Sequence, residues 1–133
     1  MCYTIEHIDK LLQIIAAKNM SLPSNWMGKD PDALLEIYNG IGAEWMPRKL
    51  RRFISFVLSR LEPVALIHDV EFTDCQKTYW LFTKANCRFI WNAVKMNHLL
   101  MGIACAVLCQ FFGWGAYKIG KDSMCYCNHY IEE

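Results

Sequence analysis

The sequence predicts an all-α protein, a compact bundle of five to six helices. Apolar residues recur at helical spacing in several segments. No stretch alternates apolar and polar residues over the length of a strand. Hydrophobic residues make up 54% of the 133 residues, against 20% charged ones. That is ample core material for one domain, and we expect residues 1–133 to form it.

The first two helices are predicted by their start signals. Segment 4–19 carries isoleucines and leucines on one stripe, and Thr4 is in place to cap its N-terminus. Further on, Asp30 precedes Pro31, which is a capping residue followed by proline at the first helical position. A short helix over 31–38 should follow.

Two glycines then interrupt the pattern, in the segment Asn39-Gly40-Ile41-Gly42. Glycine lets the chain turn tightly and lets another group approach the backbone closely. Pro47 restarts a helix on which basic residues oppose apolar ones. The basic residues are Arg48, Lys49, Arg51 and Arg52.

Two more helices follow, and each carries a polar side chain on its apolar face. Pro63 suits a helix start, and a helix from there to Phe72 places His68 and Phe72 on one face. The next helix is predicted from about residue 75 to 97. Asn86 shares its apolar stripe and should therefore point inward.

The run from Leu99 to Tyr117 is apolar except for Gln110. About 20 such residues suffice to cross a bilayer, so a membrane span is one interpretation. The other is the central, buried helix of a bundle. Three glycines and the need of the amphipathic helices for an apolar partner favour the buried helix. Small residues at Gly102, Ala104 and Ala106 should let neighbouring helices come close.

Charge and cysteine content narrow the class of protein. With 14 basic and 13 acidic residues the net charge is +1, which gives no support for nucleic-acid binding. The seven cysteines are odd in number and several fall in helical stretches, which disfavours a disulfide framework. No signal peptide is recognisable, because charged residues interrupt the first segment. We expect a reducing, cytoplasmic location.

A zinc site at the C-terminal end is a weaker possibility. Cys125, Cys127 and His129 could supply two thiolates and an imidazole. Structural zinc usually takes four ligands in two separated pairs, and only three lie here. Partly buried thiols are the favoured interpretation of this segment.

The glycine segment 39–42, followed by a helix and then by the pair His68-Asp69, resembles the phospholipase A2 family in its disulfide-free viral and phage-type form. That family has a glycine-rich calcium loop followed by a helix bearing His-Asp-x-x-Tyr. Here Gly40-x-Gly42 matches the loop, and Phe72 stands in place of the tyrosine. The resemblance covers roughly residues 36–93.

The resemblance implies a role for each matched residue. Backbone carbonyls at Asn39, Gly40 and Gly42, with the Asp69 carboxylate, would hold calcium, which prefers oxygen ligands. His68 would act as general base on a water that attacks a phospholipid sn-2 ester. Calcium and a loop N–H would stabilise the oxyanion. The implied partner is phospholipid or a membrane surface, and the phage-type relatives also suggest a virion-associated location.

The sequence departs from the family pattern at three places. Asn86 stands where the family has the Asp that orients the catalytic histidine, and an amide brings no negative charge to the imidazolium. Glu71, Asp74 or Asp122 are the candidate replacements for that carboxylate. Phe72 lacks the tyrosine hydroxyl, and Glu44-Trp45 places bulky residues directly after the loop.

Four hypotheses therefore stay open. The first is a calcium-dependent phospholipase, and the second is a catalytically degenerate binding or structural protein of the same fold. The third is a small protein anchored in a membrane by 99–117, and the fourth is an unrelated helical bundle with chance motif matches.

Overall fold

The structure, a computed structural model, describes residues 3–38, 47–74 and 76–119. Over these residues the chain forms α-helices and no strand, which confirms the predicted all-α bundle. The helices are α1 (Ile5–Ala17), α2 (Pro31–Ile37), α3 (Arg48–Leu58), α4 (Glu62–Phe72), α5 (Tyr79–Lys95) and α6 (Leu99–Ile119). Short 3-10 turns at Ser24–Trp26 and Ser59–Leu61 precede α2 and α4.

Side-chain caps fix the starts of α1 and α2 where the sequence predicts them. Thr4 lies in extended backbone and its hydroxyl accepts a hydrogen bond from the His7 N–H at 3.3 Å. Asp30 accepts one from the Ala33 N–H at 2.8 Å, and Pro31 occupies the first helical position. Each cap satisfies a backbone donor that the first helical turn leaves unpaired.

The N-terminus of α5 differs from the prediction. The helix begins at Tyr79 instead of near residue 75, because Thr78 is extended and its hydroxyl accepts from the Leu81 N–H at 3.2 Å. Before it, the Asp74 carboxylate accepts from the Gln76 N–H in a turn. Asp and Thr both favour turns and caps over helix interiors, which explains the later start.

The core is centred on α4, which packs against α1, α2 and α5. Its residues Val64, Leu66 and Val70 are completely buried. On α1, the stripe predicted from spacing is buried at Ile8, Leu11 and Ile15. A helix buried from several sides is apolar around most of its circumference, as α4 is.

Two asparagine side chains tie the segment after α1 to the central helices. Asn92, fully buried on α5, accepts from the Ser21 N–H at 2.8 Å and donates to the Ser21 carbonyl at 2.9 Å. Asn25 donates to the Val70 carbonyl at 2.8 Å. These bonds satisfy backbone groups that the loop would otherwise bury unpaired.

α6 lies close against α5, and small residues make this approach possible. Asn97, in the left-handed region at φ 60°, reverses the chain between the two helices. A Cβ added at Gly102 would lie 2.4 Å from the Cβ of Ala93, so only glycine fits there. Ala106 is also buried. The predicted close approach is therefore correct at Gly102 and Ala106, whereas Ala104 is exposed.

The expectation that α6 is buried on all sides is wrong for the part of the chain that the structure describes. α6 packs chiefly along α5, and its opposite face carries Leu100, Phe111 and Phe112, which are 82%, 78% and 72% exposed. The alternative of a membrane span is not supported either. Among the described helices, none reaches the combination of length and apolarity that crossing a bilayer requires.

Candidate active site

Packing of α4 on α5 brings together the two polar side chains that the sequence predicts to face inward. The His68 Nε2 atom lies 3.0 Å from the Asn86 Oδ1 atom. Both residues are buried, with 8% of His68 and 4% of Asn86 exposed. A buried polar pair of this kind is stable only because each side chain satisfies the other.

Asn86 forms a second hydrogen bond, to Gln110 on α6. Asn86 Nδ2 donates to Gln110 Oε1 at 2.7 Å. Gln110 Nε2 in turn donates to the Tyr79 hydroxyl at 2.7 Å and to the Thr83 hydroxyl at 3.1 Å. Gln110 thereby fixes the Asn86 amide with its oxygen toward the histidine ring.

This chain of donors sets the tautomer of the histidine. Since Asn86 offers an oxygen to His68, the Nε2 atom must carry the ring proton and donate it. Nδ1 then carries the lone pair. A nitrogen with a lone pair is what a general base requires.

Aromatic rings pack against His68 and contribute to the burial that lowers its pKa. The Phe72 ring centroid lies 4.2 Å from that of His68, and Phe89 meets it edge-on at 5.3 Å. Burial among such groups removes water from the imidazolium and lowers the pKa of His68 to about 4, while the Asn86 hydrogen bond acts weakly in the opposite direction. His68 is therefore neutral at pH 7.

Phe72 stands where the family pattern has a tyrosine. The side chain packed on His68 therefore has no hydroxyl group. Phe72 packs on His68 on one side and on the Tyr117 ring at 4.9 Å on the other. The Tyr117 hydroxyl points away from this contact and donates to the Gln76 carbonyl at 3.2 Å. The environment of His68 is thus more apolar than the family pattern implies.

Asp69, on α4, interacts electrostatically with Tyr38, the residue that follows α2 and precedes the glycine segment. Burial raises the pKa of the Tyr38 hydroxyl, and the nearby charges of Glu62 and Asp69 raise it further. Burial likewise raises the pKa of the Cys109 thiol to about 11, with a smaller contribution from Asp69. Asp69 therefore lies within electrostatic reach of both α2 and α6.

Part of the predicted calcium site falls outside the described residues. Asn39, Gly40 and Gly42 lie there, as do Glu44-Trp45 and the zinc candidates Cys125, Cys127 and His129. Across 3–38, 47–74 and 76–119, no group of three or more histidine, cysteine or acidic side chains is arranged to hold a metal ion. The cysteines described on α5 and α6 are free thiols: Cys87, Cys105 and Cys109.

Comparison with known proteins leaves the family open. No family model, no curated protein and no solved structure matches the chain.

Two carboxylates considered as replacements for the orienting Asp are engaged elsewhere. Glu71 forms an ion pair with Arg88. Asp74 accepts a hydrogen bond from the Gln76 backbone. The group that meets the His68 Nε2 atom is the Asn86 amide and neither of these carboxylates, and Asp122 lies outside the described residues.

Gln110, Tyr79 and Thr83 are the site residues that the motif did not reveal. Gln110 is the single polar residue of the apolar run. It lies on the same helical stripe as Gly102, which packs on α5, and Ala106, which is buried. A polar residue on a packed stripe needs a partner, so its position there indicates a hydrogen bond to α5.

Proposed function

We propose that the protein is a phospholipase A2-like hydrolase that cleaves phospholipid sn-2 esters in a calcium-dependent reaction. The hydrogen bond between His68 and Asn86 carries this proposal. It joins the motif histidine on α4 to the position on α5 where the family resemblance expects the orienting residue.

His68 is in the base form at neutral pH, although the same lowering of its pKa makes it a weaker base than an exposed imidazole. Because its pKa is lowered to about 4, the ring is unprotonated and its Nδ1 lone pair is available. In the proposed reaction Nδ1 accepts a proton from the water whose oxygen bonds to the ester carbonyl carbon, and the ring returns that proton to the lysophospholipid oxygen as the sn-2 ester bond breaks. Asn86 holds the ring while the proton is transferred, and the aromatic rings around it keep bulk solvent away.

Asp69 and the carbonyls of Asn39, Gly40 and Gly42 would hold the calcium ion. A carboxylate with backbone carbonyls is the hard oxygen donor set that calcium prefers. The fit is supported by the closeness of Asp69 to Tyr38, the residue that immediately precedes the glycine segment. When bound, calcium supplies positive charge that stabilises the developing oxyanion.

The experiment is fatty-acid release from phosphatidylcholine vesicles by the purified protein, with calcium and with a chelator. We expect release in calcium, none in chelator, and loss of release in His68→Gln. His98→Gln, which alters a histidine outside the site, is the matched control and should keep wild-type activity. A calcium-loaded, folded wild-type protein that releases no fatty acid from any phospholipid would disprove the proposal.

A second candidate is a catalytically degenerate protein of the same fold, with a binding or structural role. The amide of Asn86 favours it, because an amide brings no charge to the imidazolium that forms when His68 takes a proton. In serine proteases the corresponding change from Asp to Asn costs about 10⁴ in turnover. On this view the His68–Asn86 pair is a structural hydrogen bond.

Asn86→Asp separates the two candidates. If the wild type is a hydrolase, the new carboxylate should raise both the pKa of His68 and the turnover, by roughly a hundredfold or more. If the site is degenerate, the wild type shows no calcium-dependent release, and His68→Gln folds normally. Asn86→Leu, which removes the partner altogether, is the control for loss of orientation.

A further inference from the structure

The outward side of the α5–α6 pair is apolar over an unusual extent. We define the α5–α6 surface by six residues whose side chains are exposed: Trp80, Trp91, Leu100, Val107, Phe111 and Phe112. On α6, the side chains of Leu100, Phe111 and Phe112 are each more than two-thirds exposed. Large apolar side chains exposed in such number on two neighbouring helices are typical of a surface that binds something.

The charged side chains of α5 and α6 are all basic. From Tyr79 to Ile119 the sequence contains no aspartate or glutamate. It contains four basic residues, which are Lys84, Arg88, Lys95 and Lys118. Arg88 is paired with Glu71, but Lys84 and Lys118 are exposed. The apolar surface is therefore accompanied by positive charge only.

Aromatic and cationic side chains lie together beside this surface. The Lys118 ammonium lies 5.0 Å from the centroid of the Trp114 ring, and the Lys95 ammonium 5.8 Å from that of Trp91. Tryptophan and lysine are the residues that concentrate where a membrane's apolar core meets its headgroups. The composition of the surface matches that boundary.

We propose that the α5–α6 surface docks on an anionic phospholipid membrane, with α6 lying in the plane of the interface. The apolar side chains enter the acyl region while the lysines contact lipid phosphates. A second copy of the chain is a poorer occupant, because a symmetric contact through this surface would bring lysines together without a carboxylate from either helix pair. The inference rests on residues 79–119 and does not depend on hydrolysis.

Vesicle co-sedimentation of the full chain, in chelator so that no lipid is hydrolysed, tests the proposal. We expect binding to vesicles of phosphatidylcholine mixed with phosphatidylserine, weaker binding to phosphatidylcholine alone, and weakening by salt. Phe111→Ser combined with Phe112→Ser should lower the partition coefficient by about tenfold or more. Lys84→Gln should lower it by about fivefold.

Matched variants elsewhere on the surface serve as controls. Leu100→Ser should weaken binding, whereas Met27→Ser, at a side chain 88% exposed before α2, should not. Lys18→Gln, at the exposed C-cap of α1, is the control for Lys84→Gln. All of these side chains are exposed, so circular dichroism should show unchanged helicity in every variant.

Three results would overturn the proposal. The first is a folded wild type that binds neither kind of vesicle. The second is equal loss of binding in Met27→Ser and Leu100→Ser. The third is a wild-type dimer in solution that the double phenylalanine variant converts to a monomer, which would show that a second copy covers the surface.

Discussion

Acidification should destabilise the protein through His68, before most carboxylates are protonated. In the unfolded chain the pKa of this side chain is about 6.5, and burial lowers it to about 4 in the folded protein. As the pH falls below about 6.5, the unfolded state takes up the proton first. Stability is therefore complete above that pH and is lost as the pH falls toward about 4.

The size of the effect follows from the two pKa values. Each tenfold change in proton affinity is worth about 1.4 kcal/mol. The pKa of His68 is about 6.5 in the unfolded chain and about 4 in the folded protein. The free energy of unfolding should therefore fall by about 3 kcal/mol between pH 7 and pH 4. That is a large part of the 5–15 kcal/mol roughly typical of whole domains.

Urea denaturation followed by circular dichroism, at a series of pH values from 7 to 4, measures this loss. Other groups titrate in the same range, so the wild type is compared with His68→Gln. The variant should lose about 3 kcal/mol less than the wild type over the series. Parallel pH profiles for the two proteins would refute the assignment of His68 as a buried, neutral imidazole.

Two further predictions concern packing between the helices. In thermal or urea unfolding, Gly102→Ala should destabilise the protein by about 1–3 kcal/mol, because the added Cβ would overlap that of Ala93. The control is Gly115→Ala, which should be neutral or stabilising because the space around Gly115 is open. A stable Gly102→Ala protein would argue against the close α5–α6 contact. Arg88→Met should lower the free energy of unfolding by about 3 kcal/mol, because it leaves the partly buried carboxylate of Glu71 without its partner. The double variant Arg88→Met, Glu71→Leu should regain most of that free energy. Failure of the double variant to recover would point to packing by the arginine stem.

Local signals in the sequence were sufficient to predict the starts of α1 and α2 and the inward direction of His68 and Asn86. Thr4 and Asp30 cap their helices through contacts within one turn, so neighbouring residues contain the information. His68 and Asn86 face inward because helical spacing alone decides which side of a helix is apolar. That the two side chains meet also required α4 to pack on α5.

α6 could not be predicted in the same way. Its residues are apolar around the whole circumference, so spacing does not distinguish the face against α5 from the opposite one. Only the packing shows that α5 is the helix that Gly102 lies against and that Phe111 is exposed. The partner of Gln110 is likewise a property of the assembled helices.

The start of α5 shows a different limit. Apolar periodicity favours extending the helix backward toward residue 75, but the hydroxyl of Thr78 competes for the first backbone N–H groups. A cap decides a boundary that periodicity leaves open by several residues. The Thr78 side chain is therefore a more informative marker than the apolar pattern before it.

Nitrogen NMR of the His68 ring tests most directly the claim that Asn86 and Gln110 hold this side chain as a neutral base. We predict that at pH 7 Nε2 carries the proton and Nδ1 does not, and that this pattern persists to well below pH 6. A proton on Nδ1, or a ring that becomes charged near pH 6.5, would contradict it. The first result would mean that both amides point the other way, and the second that the ring is not buried.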